Sequence, residues 1–331
     1  MSASLPGDRV LAADYVLPLR WTSERGLDEL TDYLRLLSTW ITVTVVDGSP
    51  GELYDSHADR WSAFVRHVRP DTWPGNNGKV AGVMTGLVLA GTDRVVIADD
   101  DVRYRLPDLT RIVAALDDAE LVRPQNFFTS LPWHARWDTA RTLLNRAFGS
   151  DYPGTLAVRR DCVLAAGGYD GDVLFENLEL IRTVAAAGGR EIRAADLFVG
   201  RLPPTPSHFA GQRLRQAYDD FAQPARLVAE LSLLPAWLWA VRRPRRLIAA
   251  VILACALGEL GRRRSGGTSV FPATSAAWVP LWMLERSICV WLAVVIHWRG
   301  GPRYGAGRLH RAATPSRLLR ERAAGIRAAR A

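Results

Sequence analysis

The chain is 331 residues long, 48% hydrophobic and 23% charged, which supplies a sizeable core and excludes an intrinsically disordered chain. Its net charge of +8 is divided unevenly: residues 222–331 hold 18 Arg, no Lys and four acids, a formal +14, whereas residues 1–221 hold 24 basic and 30 acidic side chains, a formal −6. The basic residues flank apolar runs and do not stripe a polar surface, which excludes a nucleic-acid-binding layout and suits an anionic membrane surface.

The opening MSASLPGDRV lacks a basic segment followed by an apolar one, so no signal peptide is expected and residues 1–221 are expected in the cytoplasm. Asp14–Leu19 (DYVLPL) is a short apolar run that reads as a strand. Gly26–Trp40 places Leu27, Leu30, Tyr33, Leu34 and Leu37 at helical spacing. Ile41–Val46 is rich in β-branched residues and stops at the turn signal Asp47-Gly48-Ser49-Pro50. Val80–Ala90 reads as a helix, and Val95–Ala98 as a buried strand running into Asp99-Asp100-Asp101. Pro107–Ala119 is again helical, followed by Leu121-Val122. Alternating strands and helices predict an α/β domain, a Rossmann-like mainly parallel sheet with helices on both faces. Such sheets bind ligands beyond the carboxyl ends of their strands, where Asp47 and Asp99–Asp101 fall.

The character changes at about Arg226, which divides the chain into an α/β region (1–221) and a mostly helical, basic, membrane-associated region (222–331). Leu247–Leu260 is short for a membrane span and has arginines at both ends. Trp278–Trp298 reaches the roughly 20 residues that a span needs, but it contains Glu285-Arg286. Spanning and interfacial helices stay open as alternatives, with a soluble helical subdomain as the competing reading. Cys162, Cys255 and Cys289 have no metal-type spacing and read as reduced structural thiols.

Two features carry chemistry. Divalent cations such as Mn²⁺ or Mg²⁺ take hard oxygen ligands, and adjacent carboxylates repel one another unless a cation or solvent compensates them. In strand geometry Asp99 and Asp101 converge as metal ligands while Asp100 points elsewhere; the alternative is a solvated turn. The other feature is Lys79, the sole lysine among 42 basic residues, which hints at a need for a compact ammonium beside a phosphate or carboxylate.

Taken in order, these segments resemble the family 2 glycosyltransferases of the GT-A fold, over about residues 13–221. The matching pieces are Val16-Leu17-Pro18, Val45-Val46-Asp47-Gly48-Ser49, Asn77-Gly78-Lys79 with Gly82 and Gly86 beyond, and Asp99-Asp100-Asp101. They continue with Gly167-Gly168-Tyr169-Asp170 before Glu176-Asn177, and Gln212-Arg213-Leu214-Arg215-Gln216. The resemblance implies an inverting transferase that takes a nucleoside-diphosphate sugar to a lipid-linked or glycan acceptor at the cell membrane. It implies donor contacts at Pro18, Asp47, Gly48, Lys79 and Asp100, metal at Asp99 and Asp101, and catalytic roles for Glu176, Gln212 and Arg215. The chain departs from the family twice. Asn177 stands where the family usually has the aspartate that acts as base, which leaves Glu176, or Glu179 one turn along, to substitute. Gln216 replaces the family's Trp, which puts acceptor packing or processivity in question. His208 is a further candidate metal ligand. The competing functional readings are a degenerate membrane-attached scaffold and a nucleotidyltransferase.

Overall fold

The computed structural model describes residues 11–304 and 307–330; the segment on which the signal-peptide reading rests lies outside them. The strands of its main sheet are β1 (Asp14–Leu19), β2 (Thr42–Asp47), β3 (Arg66–Val68), β4 (Arg94–Ala98), β5 (Val102–Arg103), β6 (Leu121–Phe128), β7 (Thr155–Arg159) and β8 (Glu191–Arg201). They form one sheet in the order β3-β2-β1-β4-β7-β6-β8-β5. Six strands share a direction, and β5 and β7 run against them. The expected mainly parallel α/β sheet is therefore present, with two antiparallel insertions.

The helices are α1 (Leu27–Ser38), α2 (Gly51–Trp61), α3 (Gly78–Leu89), α4 (Leu106–Ala114), α5 (Trp133–Phe148), α6 (Arg160–Ala165), α7 (Glu176–Ala186), α8 (Pro206–Tyr218), α9 (Pro224–Leu231), α10 (Leu233–Ala240), α11 (Pro244–Arg263), α12 (Val279–Trp298) and α13 (Ser316–Arg330). Alternation along β1 divides the core: Tyr15 and Leu17 pack with Leu30, Leu34, Trp61 and Ile112 on one face, and Val16 packs with Val83, Leu87, Val163 and Val184 on the other. Helix α3 lies close on β1 because Gly86 has no side chain; a Cβ there would stand 2.2 Å from Val16 Cγ1. This packing brings the first turn of α3 to the carboxyl ends of β1 and β4.

The basic C-terminal region is joined closely to the front of the chain. Helix α11 packs on α5, and α12 packs on α5 and α8. Leu174 N and Phe175 N donate to the carbonyls of Arg311 and Ala312 at 3.0 and 2.8 Å. Thr314 N donates to Glu179 Oε2 at 2.6 Å, which ties Glu179 to the C-terminal segment. The three cysteines are free thiols.

Candidate active-site cleft

At the carboxyl ends of the parallel strands lies an open cleft of about 810 Å³, within the range of small-molecule sites. Nine of the ten candidate residues line it: Pro18, Gly48, Lys79, Asp99, Asp100, Asp101, Glu176, Gln212 and Arg215. They come from six separated segments. His208 lines it too, with its Nε2 3.2 Å from Gln212 Nε2.

The three aspartates occupy a turn between β4 and β5 and do not continue the strand, so all of them face the cleft. Asp99 and Asp101 converge on Arg201, the last residue of β8: Arg201 Nε donates to Asp101 Oδ2 at 2.6 Å, and Nη2 lies 3.8 Å from Asp99 Oδ2. Asp100 turns the other way and accepts from Trp21 Nε1 at 2.5 Å. Gly154 keeps room for this turn, since a Cβ on it would stand 2.6 Å from Asp99 Oδ2. Asp101 Oδ1 is buried without a hydrogen-bond partner. Burial pushes the Asp101 carboxyl up to about 6, with Asp99 and Asp100 adding to the rise and Arg201 opposing it.

Lys79 sits in the first turn of α3, whose start is capped by the Asn77 side chain. Its Nζ bridges Asp99 Oδ1 at 2.5 Å and Glu176 Oε1 at 2.8 Å. Burial lowers the pKa of this ammonium, but Asp99 and Glu176 outweigh burial and keep it protonated. Glu176, the first residue of α7, also faces Arg215 at 3.8 Å. Burial pushes its carboxyl up, and Lys79 and Arg215 together bring it below the ordinary glutamate value. A carboxylate held in this way is a poor proton acceptor, because protonation would break both pairs; this argues against Glu176 as the base. Asn177 donates to Pro153 O at 3.0 Å and fixes the loop before β7.

Asp47 departs from the expected donor contact. It is fully buried and does not line the cleft, although Val46 and Gly48 on either side of it do. His57 Nδ1 and His67 Nε2 lie 2.6 and 3.1 Å from its Oδ2, and Ser49 N donates to its Oδ1 at 2.8 Å. Burial would raise this carboxyl, but the hydrogen bonds from His67, Ser49 and His57 hold it well below the aspartate range. The three donor atoms lie within 4.8 Å of one another, close enough for a cation. Among the described residues His57 Nε2 and His67 Nδ1 have no partner, so the outer hydrogen bonds that orient histidine ligands are not found there. The cluster reads as a carboxylate held by two imidazoles. From it a relay runs to the cleft: Ser49 Oγ accepts from Trp21 N at 2.8 Å, and the Trp21 ring holds Asp100. Asp47→Asn removes the charge at the root of the relay and is expected to cost about 2–3 kcal/mol in denaturant unfolding at pH 7. Because the folded pKa is depressed, the contribution is present above the ordinary aspartate value, and wild type and variant should converge as pH falls below it.

Sequence reasoning missed Arg201, Trp21, Arg141 and Tyr304; Trp21 follows Pro18 closely, but its partner Asp100 lies 79 residues away. Arg141 pairs with Asp138 and Asp151 at 3.3 and 3.2 Å, and Tyr304 donates to Asn77 Oδ1 at 2.9 Å.

No protein-family model and no curated protein matches the sequence. Among solved structures, the chain is similar to a mannosyltransferase from Pyrobaculum calidifontis in complex with GDP-Man and Mn²⁺, at 16% identity over 96% of this chain and 85% of that one, with a TM-score of 0.45. It is also similar to glucosyl-3-phosphoglycerate synthase from Mycobacterium tuberculosis in complex with Mn²⁺, UDP and glucosyl-3-phosphoglycerate (17% identity, 62% and 75% covered, TM-score 0.39). A third is GalNAc-T7 with UDP, GalNAc and Mn²⁺ (14%, 60% and 45%, 0.40). At these identities and scores the functional reading rests on the residues of the cleft.

Proposed function

We propose that the protein is a metal-dependent, inverting glycosyltransferase of the GT-A type that moves a sugar from a nucleoside-diphosphate sugar to a lipid-linked or glycan acceptor at the cytoplasmic face of a membrane. The observation that carries this reading is the gathering of six sequence-distant segments around one cleft. The donor set fits a hard cation: three carboxylates share a turn that Lys79 and Arg201 face, and among the described residues one carboxylate oxygen of Asp101 is buried and unpartnered. A divalent cation held by Asp99 and Asp101 would offset the charge that gathers on the leaving diphosphate. Lys79 and Arg215 add fixed positive charge beside it, and the N-terminal turn of α3 favours the anion through the helix dipole. Pro18 and Gly48 form the wall against which the nucleoside lies, and Asp47 supports that wall from behind. The acceptor hydroxyl attacks the anomeric carbon in line with the departing diphosphate, so the configuration inverts.

Asn177 favours a second reading, a domain that binds sugar nucleotides without turnover. A screen of nucleoside-diphosphate sugars for nucleoside diphosphate release, with and without Mn²⁺, separates the two. Mn²⁺-dependent release from at least one donor is expected. Binding without release would favour the scaffold, and pyrophosphate release from a nucleoside triphosphate would mark a nucleotidyltransferase.

The membrane part of the proposal rests on α10, α11 and α12. Ala273–Trp298 is long and apolar enough to cross a membrane. Yet its Glu285 takes a 2.6 Å hydrogen bond from Trp137 Nε1, and Arg286, fully buried, lies 3.4 Å from both Asp220 and Glu230. A span would carry these partners from α5, the α8–α9 connection and α9 into hydrocarbon, so an interfacial helix suits the packing better. Exposed residues support it: Leu238, Trp239, Ile252, Leu253, Leu292 and Trp298 are exposed, as are Arg242, Arg243, Arg245 and Arg263, and Arg246 lies over the Trp239 ring. The protein is expected to float with phosphatidylserine vesicles and less with phosphatidylcholine. Each Arg→Gln in the 242–246 cluster should remove roughly 1 kcal/mol of binding. Flotation indifferent to charge and to Trp239→Glu would refute this surface.

A further inference from the structure

Seven acids line the cleft: Asp71, Asp99, Asp100, Asp101, Asp138, Glu176 and Asp219. Five are held by other side chains: Asp99 by Lys79, Asp100 by Trp21, Asp101 by Arg201, Asp138 by Arg213, and Glu176 by Lys79. Asp71 is exposed at the rim. Asp219 differs from all of these. It caps the C-terminus of α8, one turn beyond Arg215, and its Oδ1 is shielded without a hydrogen-bond partner. Among the described residues its side chain makes no ion pair or hydrogen bond. Beside it, Gln216 Oε1 is also buried and unpartnered. Two adjacent acceptors on one cleft wall thus lack donors, an arrangement suited to a hydroxyl-bearing ligand.

We propose that Asp219 is the base that takes the proton of the acceptor hydroxyl, a role that rests on the glycosyltransferase reading. The acceptor's O–H proton passes to the Asp219 carboxylate, and the oxygen's electron pair forms the bond to the anomeric carbon. The bond from that carbon to the diphosphate breaks with its electron pair, which releases the nucleoside diphosphate; Asp219 then returns its proton to water. Asn177 cannot take this proton, and Glu176 would have to break its pairs with Lys79 and Arg215 to do so. The groups that face Asp219 accord with the role. Burial pushes its carboxyl up to about 7, Glu176 on α7 adds to the rise, and Arg215 on α8, Arg286 on α12 and Arg141 on α5 oppose it. The group is therefore divided between acid and base near neutral pH, where a general base works best.

The test uses the full chain, the donors that give nucleoside diphosphate release, and octyl glycosides as hydroxyl probes. Wild-type kcat should rise with pH through about 7. Asp219→Asn should lower kcat by about 10²–10⁴-fold with donor KM within about twofold of wild type, and should abolish that acid limb. Asp219→Glu should recover part of the rate with a shifted limb, which a loss of folding would not give. An Asp219→Asn enzyme with near-wild-type kcat and an unchanged limb overturns the assignment and leaves the glycosyltransferase reading intact. A wild type that turns over no donor overturns both.

Discussion

Asp101→Asn is expected to lower Mn²⁺-dependent turnover by about a thousandfold, equivalent to roughly 4 kcal/mol of transition-state stabilisation. The amide is neutral and presents one acceptor in place of two, so the turn loses half of the charge that would hold the cation. Arg201, which bonds Asp101 at 2.6 Å and approaches Asp99 at 3.8 Å, keeps a neutral acceptor in the amide oxygen. The fold should not suffer, because the substitution relieves repulsion among three adjacent carboxylates. Activity lost with melting temperature kept or raised is therefore the expected pair of results. Unchanged turnover would remove Asp101 from the metal assignment.

Lys79→Met is expected to lower both stability and activity. Its ammonium reaches two carboxylates from different segments, and none of the three side chains is more than 22% exposed. An isosteric apolar chain leaves Asp99 and Glu176 partly buried with only the 3.8 Å approaches of Arg201 and Arg215, a loss of about 2–4 kcal/mol in urea unfolding. Lys79→Arg restores the charge, but a planar fork is larger than the point donor seated between two oxygens at 2.5 and 2.8 Å. Most of the stability should return, while turnover stays down by about a hundredfold. A methionine variant as stable as wild type would show that this bridge does not hold the cleft together.

Much of this was legible because local chemistry declares itself. The strand at Asp14–Leu19 has the expected ends, and the runs at Thr42–Asp47 and Arg94–Ala98 differ from expectation by a residue. Buried parallel strands read as near-continuous apolar runs, and here acids mark the ends of β2 and β4. The lone lysine was informative for a similar reason: in an arginine-rich chain, its retention marked the one place where two carboxylates meet a compact cation. What stayed hidden depends on long-range pairing. Leu121-Val122 grows into the eight-residue β6 because β8, some 70 residues later, pairs along its length. Asp47 looked like a ligand contact because nothing in its neighbourhood announces that His57 and His67 close over it. Arg201 lies 100 residues from the aspartate it neutralises. Asp219 carries no motif at all; it stands out only once every other shielded acid in the cleft has been assigned a partner.

The central claim is that this cleft grips a nucleotide's diphosphate through a cation held by Asp99 and Asp101. Calorimetric titration of the full chain with UDP and GDP, in Mn²⁺ and in EDTA, tests it most directly. At least one nucleotide should bind with a Kd between about 1 μM and 1 mM, a typical substrate range, and at least tenfold more weakly in EDTA or in Asp99→Asn. Binding of neither nucleotide, or binding of equal strength with and without Mn²⁺, would contradict the account.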